Sequence, residues 1–292
     1  MSLPQAVPPG PELFERLRQG FNQGNYDDRR EVFVECVRQA VERRGPAPTV
    51  LDIGCGYGIR REREPQRRIA AAAGRLWGLD PDPEVEIDRE LFQEFWRSTL
   101  ESAPIPAESV DVAYAHMVVE HVADAARFAR KLHHVLKPDG CAVLLTINAR
   151  SYLGRAARMA LRIRAQDSIL RALRGGSVVE DYHYPALYRF NDERVVTRVA
   201  LDAGFEKAEF AYLDRGEARV YFPGALRFIP RCIEYKHRIL GQRAYLTNLL
   251  IVLGKGGREP SPDPGTRPRG LESSHRHAGG GGGALLGNDR AR

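Results

Sequence analysis

Residues 50–58 read Val-Leu-Asp-Ile-Gly-Cys-Gly-Tyr-Gly, a short apolar run that passes directly into glycines at alternate positions. The apolar run is too short for a helix and suits a strand buried on both faces. Glycine takes positive φ without penalty and has no Cβ, so the chain can turn sharply there and a ligand can approach the backbone closely. In open α/β sheets, ligands sit outside the carboxyl ends of the strands. One segment thus fixes a buried strand, a tight turn and a candidate binding loop.

The rest of the chain is read around that strand. Further strands are expected at Arg75–Asp80, near Phe95–Leu100, at Val110–Met117, Cys141–Ile147, Lys207–Leu213 and Leu246–Gly254. Helices are expected within 12–44, at 123–136, 191–203 and 223–240, with Lys137-Pro138-Asp139-Gly140 as a helix stop and turn. Strands alternating with helices require crossovers, so the fold class is α/β, a doubly wound, seven-stranded, mainly parallel sheet. Residues 1–44 form an N-terminal helical segment and 45–255 the main domain, with 151–190 as a helical lid insertion. Residues 256–292, with five consecutive glycines at 279–283, read as a disordered tail.

Composition excludes several classes. The chain has 292 residues, 43% of them hydrophobic, and no apolar run long enough to span a bilayer. The amino-terminal residues lack the basic and apolar regions of a secretion signal. The cysteines Cys36, Cys55, Cys141 and Cys232 form no CxxC pair, so neither a disulfide framework nor a metal site is expected, and a cytoplasmic location fits. The net charge is +6, and Arg150–Arg174 alone holds seven arginines and one acid. Arg155, Arg158 and Arg162 share a helix face there, which reads either as a solvated face or as a basic lid that favours an anionic or membrane-associated acceptor.

The glycine spacing decides between cofactors. A dinucleotide loop needs a glycine three residues after the second one, and that position is Ile59; the third glycine falls one residue early, at Gly58. Asp52 lies two residues before the first glycine, giving DxGxGxG. Asp80 ends the second strand in Gly78-Leu79-Asp80, where a carboxylate can accept two hydrogen bonds from a ribose diol. Its plainer reading is a turn or helix-capping aspartate.

Three further segments follow in order: Ala103-Pro104-Ile105-Pro106-Ala107-Glu108-Ser109-Val110-Asp111-Val112, then Met117-Val118-Val119-Glu120-His121-Val122, then Leu136-Lys137-Pro138-Asp139-Gly140. With the DxGxGxG loop, these resemble the class I S-adenosylmethionine (SAM) dependent methyltransferases of the UbiE-like family, well over residues 48–148 and loosely over 191–254. The resemblance implies SAM as cofactor, with Gly54, Cys55, Gly56 and Gly58 lining its methionine part and Asp52 ordering the loop. It implies Asp80 at the ribose, Leu79 and Pro81 flanking the adenine, Thr99 and Leu100 beside that ring, and His116 and Met117 facing the reacting methyl. Thr99 stands where the family usually has an acid, and the charged Ile59–Arg68 segment delays the following helix to about Pro65.

A hydroxyl acceptor would call for a general base, and the candidates are His121, His116 and His183, each of which has a packing or surface reading as well. The function expected is methyl transfer to a small-molecule or lipid-precursor acceptor, with no nucleic acid as partner. The alternatives are a catalytically inactive SAM-fold binding subunit and a nucleic-acid methyltransferase using the arginine cluster as a phosphate track.

Overall fold

In the computed structural model, residues 12–19, 29–59, 61–152, 154, 155, 158, 159, 186–213 and 228–257 are described. All lie in one compact unit, Met1–Arg258. The elements run α1 (Glu12–Gln19), α2 (Arg29–Glu42), β1 (Thr49–Ile53), α3 (Glu64–Ala70), β2 (Arg75–Leu79), β3 (Glu94–Trp96) and β4 (Val110–His116). A 3₁₀ turn (Val119–His121), α4 (Ala125–Val135), β5 (Leu136–Ile147), α5 (Glu193–Asp202), β6 (Lys207–Leu213), α6 (Phe228–Ile239), a second 3₁₀ turn (Arg243–Tyr245) and β7 (Asn248–Gly254) complete the order.

The seven strands form one sheet in the order β3-β2-β1-β4-β5-β7-β6. β1, β2, β3, β4 and β5 pair in parallel, while β7 runs antiparallel between β5 and β6. The chain moves outward from β1 in both directions, so the β1/β4 boundary is the switch point where such sheets bind ligands.

Both sheet faces are covered. Val50, Tyr114, Val143 and Leu250 face α1, α2 and α3, whereas Leu51, Ala113, Leu144 and Ile251 face α4 and α5. Side chains alternate across each strand, and every residue of β7 is buried, as a strand between two covered faces must be. α1 and α2 bury Leu13, Phe14, Leu17, Phe33 and Val37 in the first of these cores, so the 12–44 segment shares the core of the 45–255 domain. Caps mark the helix starts: Asp124 accepts from the Arg127 N–H and Asp192 from the Arg194 N–H.

Three element boundaries differ from the sequence reading. The expected turn at Lys137–Gly140 is a bulge inside β5: Leu136 pairs with Val110 and Cys141 with Val112, and Asp139 takes φ 62° between them. β3 ends at Trp96, level with the end of its partner β2 at Leu79, and the Arg97 side chain just beyond it donates to the carbonyls of Asp82 and Val85. β7 begins at Asn248, after the Arg243–Tyr245 turn takes up the preceding residues. Within 151–190, only Ser151, Tyr152, Gly154, Arg155, Arg158, Met159 and 186–190 are described, so the lid expectation lies mostly outside the described residues.

Candidate cofactor site at the strand ends

The glycine loop closes onto the end of β2. The N–H groups of Gly54 and Cys55 both donate to the Leu79 carbonyl, at 2.8 and 3.1 Å, and the Gly56 N–H donates to Asp80 Oδ2 at 2.8 Å. Gly54, Gly56 and Gly58 all have positive φ, at 69°, 43° and 104°. Their side-chain positions differ. A Cβ on Gly54 would lie 2.5 Å from Val118 Cγ2, and one on Gly58 would lie 2.3 Å from the Glu62 carbonyl oxygen. One on Gly56 would meet nothing nearer than Asp80 Oδ2, at 3.6 Å. Gly54 and Gly58 are thus required by the fold, whereas Gly56 opens onto free space beside the Asp80 carboxylate.

Asp80 is almost buried and sits at the crossing of two loops. Its Oδ1 accepts from the Asp82 N–H at 2.9 Å while Oδ2 holds Gly56, and one lone pair on each oxygen remains for further donors. Burial pushes its carboxyl up from the usual range, and the two backbone N–H groups work against that shift. The segment after β2 is clamped against the glycine loop. Tyr57 donates its hydroxyl to the Glu84 carbonyl at 2.9 Å, and Arg63 reaches the Glu86 carbonyl at 3.2 Å.

Beneath the loop, Asp52 is fully buried on the α3 side of the sheet. Its Oδ2 accepts from Gln66 Nε2 at 2.5 Å and from the Tyr114 hydroxyl at 2.7 Å, and Gln66 also donates to the Cys55 carbonyl at 3.1 Å. Burial pushes the Asp52 carboxyl up to about 7. Asp52 therefore orders the loop from below and touches it through Gln66. Gln66 lies on α3, which starts at Glu64 with a proline at the amino end, the delayed start expected from the charged segment. The charges of that segment go into surface ion pairs, Arg30–Glu62, Arg67–Asp88 and Arg68–Glu31. Cys55 is buried, and desolvation raises its thiol pKa, so it serves as a small packing residue.

The end of β4 forms the facing wall. Met117 has φ 58°, unusual for a side-chain-bearing residue, and donates its N–H to the Leu145 carbonyl at 2.8 Å. His116, half-buried, lies with its ring 5.3 Å from that of Phe33 on α2. His121 ends the 3₁₀ turn that follows. Pro81 is half-buried next to Asp80, Thr99 is exposed, and Leu100 is buried among core side chains under the α4 face. His183 and Arg162 lie outside the described residues.

Glu120 was not singled out by sequence, yet it is fully buried. Its carboxylate accepts from the Thr146 hydroxyl at 2.8 Å, and Asn191 Nδ2 donates to that same hydroxyl at 2.6 Å. Its carbonyl accepts from the N–H groups of Leu187 and Tyr188, at 2.6 and 3.0 Å. Burial holds the Glu120 carboxyl above its ordinary range. Glu120 thereby ties the His121 turn to β5 and to the segment returning from the insertion.

The residues present suit the implied cofactor. The site offers an unobstructed backbone at Gly56 and a nearly buried carboxylate with acceptor capacity beside it, at the carboxyl ends of β1 and β2. A groove of about 520 Å³ lined by Arg18, Glu193, Glu209, Tyr212 and Arg243 lies elsewhere, on β6 at the sheet edge. No three His, Cys, Asp or Glu side chains among the described residues gather to hold a metal, and no described helix is long and apolar enough to cross a membrane.

Comparisons with known proteins agree with this geometry. Residues 26–213, more than half the chain, match the family described as a methyltransferase domain. Ubiquinone biosynthesis O-methyltransferase of Methylobacterium sp. (strain 4-46) is 36% identical over 115 residues, which cover 36% of this chain and 44% of that one. The protein of the same name from Azorhizobium caulinodans is 29% identical over 174 residues, covering 56% and 60%. The chain thus spans less than two thirds of the length of either relative. A more remote likeness is to the solved structure of Haemonchus contortus phosphoethanolamine N-methyltransferase 2, 13% identical, covering 75% of this chain and 52% of that one with a TM-score of 0.44. On its family match, its strand order and its glycine loop, the chain belongs to the methyltransferase-domain family, among the class I SAM-dependent methyltransferases.

Proposed function

We propose that the chain transfers a methyl group from SAM to a hydroxyl oxygen of a small-molecule or lipid-precursor acceptor. The observation that carries this reading is the convergence of the Gly54–Gly58 loop, Asp80 and the His116–Met117 wall at the carboxyl ends of β1, β2 and β4. The two ubiquinone-biosynthesis relatives named above support oxygen as the acceptor atom. SAM supplies an electrophilic methyl group on a sulfonium, and the protein's share is alignment with the incoming nucleophile.

Asp80 would hold the ribose hydroxyls through its remaining lone pairs, and the Gly56 backbone would allow close approach. Met117 and His116 form the wall nearest the reacting atoms. His121 takes the hydroxyl proton of the acceptor on an imidazole nitrogen, a role that its half-buried place after β4 allows. Glu120 fixes the turn carrying His121 through Thr146 and Asn191.

The test is a transfer assay with methyl-labelled SAM against a panel of phenolic and catecholic acceptors of increasing isoprenoid length, followed by product analysis. Label on oxygen that falls about 10²-fold or more in His121→Ala supports the reading. Label on nitrogen or carbon, or transfer to oxygen that His121→Ala leaves unchanged, overturns the acceptor assignment or the base assignment respectively.

A further inference from the structure

Helix α6 leaves a row of apolar side chains in solvent. Phe228, Cys232, Tyr235 and Ile239 follow at spacings of four, three and four, so they lie on one helix face. Phe228 is 58% exposed, Tyr235 69% and Ile239 63%, and Leu240 just beyond the helix is 57% exposed. Four of the eight large hydrophobic side chains exposed among the described residues fall on this helix and its end. Single exposed apolar residues are ordinary, but a contiguous row marks an interaction surface.

The row is bordered by cations held on aromatic rings. Lys236, next to Tyr235, reaches the Tyr152 hydroxyl at 2.6 Å and sits 5.2 Å from that ring's centroid. Tyr152 stacks on Tyr245 at 6.4 Å, and Arg150 and Arg155 lie 5.8 and 5.3 Å from the Tyr245 centroid. Arg158 and Met159 are exposed on the segment that follows Tyr152. The combination is an apolar stripe for insertion, tyrosines suited to a boundary between water and hydrocarbon, and a cationic border.

We propose that this face of α6, with Lys236, Arg150 and Arg155 at its border, docks the protein on an anionic lipid bilayer. Charge selects the occupant. An anionic surface is complementary to Lys236 and the two arginines. α6 lies in the plane of the headgroups, its apolar row inserted and its cations among the phosphates. This surface is independent of the methyl acceptor, and its test needs neither cofactor nor turnover.

The experiment is flotation of the full chain with phosphatidylcholine vesicles, with and without phosphatidylglycerol. The chain is expected to float only with the anionic vesicles and to be released by high salt. Phe228→Ser/Tyr235→Ser/Ile239→Ser should lower the partition at least about tenfold, and Lys236→Gln and Arg155→Gln about fivefold each, with melting temperatures unchanged. No flotation of the wild type, or flotation equal in the triple variant, overturns the proposal. So does a concentration-dependent dimer in light scattering that Ile239→Glu dissolves, which would assign the face to a second copy.

Discussion

Alanine at Gly56 and alanine at Gly58 separate the cofactor cradle from the fold. At Gly58 the φ of 104° lies outside the region an alanine tolerates, and its Cβ would stand 2.3 Å from the Glu62 carbonyl oxygen. That neighbour is backbone, so the loop itself must move, at a cost of about 2–4 kcal/mol. At Gly56 the φ of 43° is close to the left-handed region, and the nearest atom is Asp80 Oδ2 at 3.6 Å. Left-handed backbone costs an L-residue about 1–2 kcal/mol, and alanine's stiffer unfolded chain returns about 0.4–1 kcal/mol of that. The net is about 1 kcal/mol. At roughly 2–4 °C per kcal/mol, Gly56→Ala melts a few degrees below wild type and Gly58→Ala about 10 °C below. Yet Gly56→Ala places a methyl beside the Asp80 carboxylate and should weaken S-adenosylhomocysteine binding at least tenfold, about 1.4 kcal/mol. Thermal melts and calorimetric titrations of both variants read the two effects. A Gly56→Ala protein that binds S-adenosylhomocysteine as the wild type does would refute the cradle, and equal melting of the two variants would refute the steric distinction.

Two other outcomes are expected. Asp52 has a native pKa raised to about 7 against 3.8 for the ordinary side chain, so the native state holds its proton more tightly between those values. Its contribution to stability is complete below about pH 3.8 and is lost as pH rises through 7. Asp52→Asn keeps an acceptor for Gln66 and Tyr114 without titrating. Its stability relative to wild type should therefore rise by about 2.5 kcal/mol from pH 5 to pH 8 in denaturant titrations, and a difference independent of pH would exclude the raised carboxyl. Removal of residues 258–292 should leave the melting temperature within a few degrees, because Lys255 and its bonds to the His133 and Leu136 carbonyls precede the cut; a larger drop would show that the tail contributes to the fold.

The parts of the site legible in the sequence are those that local chemistry dictates. Alternate glycines after an apolar run require a sharp turn whatever surrounds them, and Gly78-Leu79-Asp80 puts an acid at a strand end by its position alone. Residues joined across strands were not legible. Tyr114 reads as one aromatic in an apolar strand, and only the β1–β4 register, which sets it opposite Asp52, turns its hydroxyl into a partner for that carboxylate. Glu120 reads only as one residue of the Met117–Val122 segment, while its burial depends on Thr146 and Asn191 arriving from distant segments. Lys137–Gly140 carries turn chemistry, and it does turn, but pairing on both sides of it makes the turn a bulge in β5. Leu100 sits in the core and Thr99 in solvent, beyond a β3 that ends at Trp96 where its partner β2 ends, a boundary set by pairing across strands.

The claim on which the rest depends is that SAM is held at the glycine loop with its ribose on Asp80. Calorimetric titration of the full chain with SAM and, separately, with NAD tests it, alongside Asp80→Ala. The account predicts saturable binding of SAM, none of NAD, and a loss of about 1.5–3 kcal/mol of SAM affinity in the variant. Tight binding of NAD with none of SAM would contradict it.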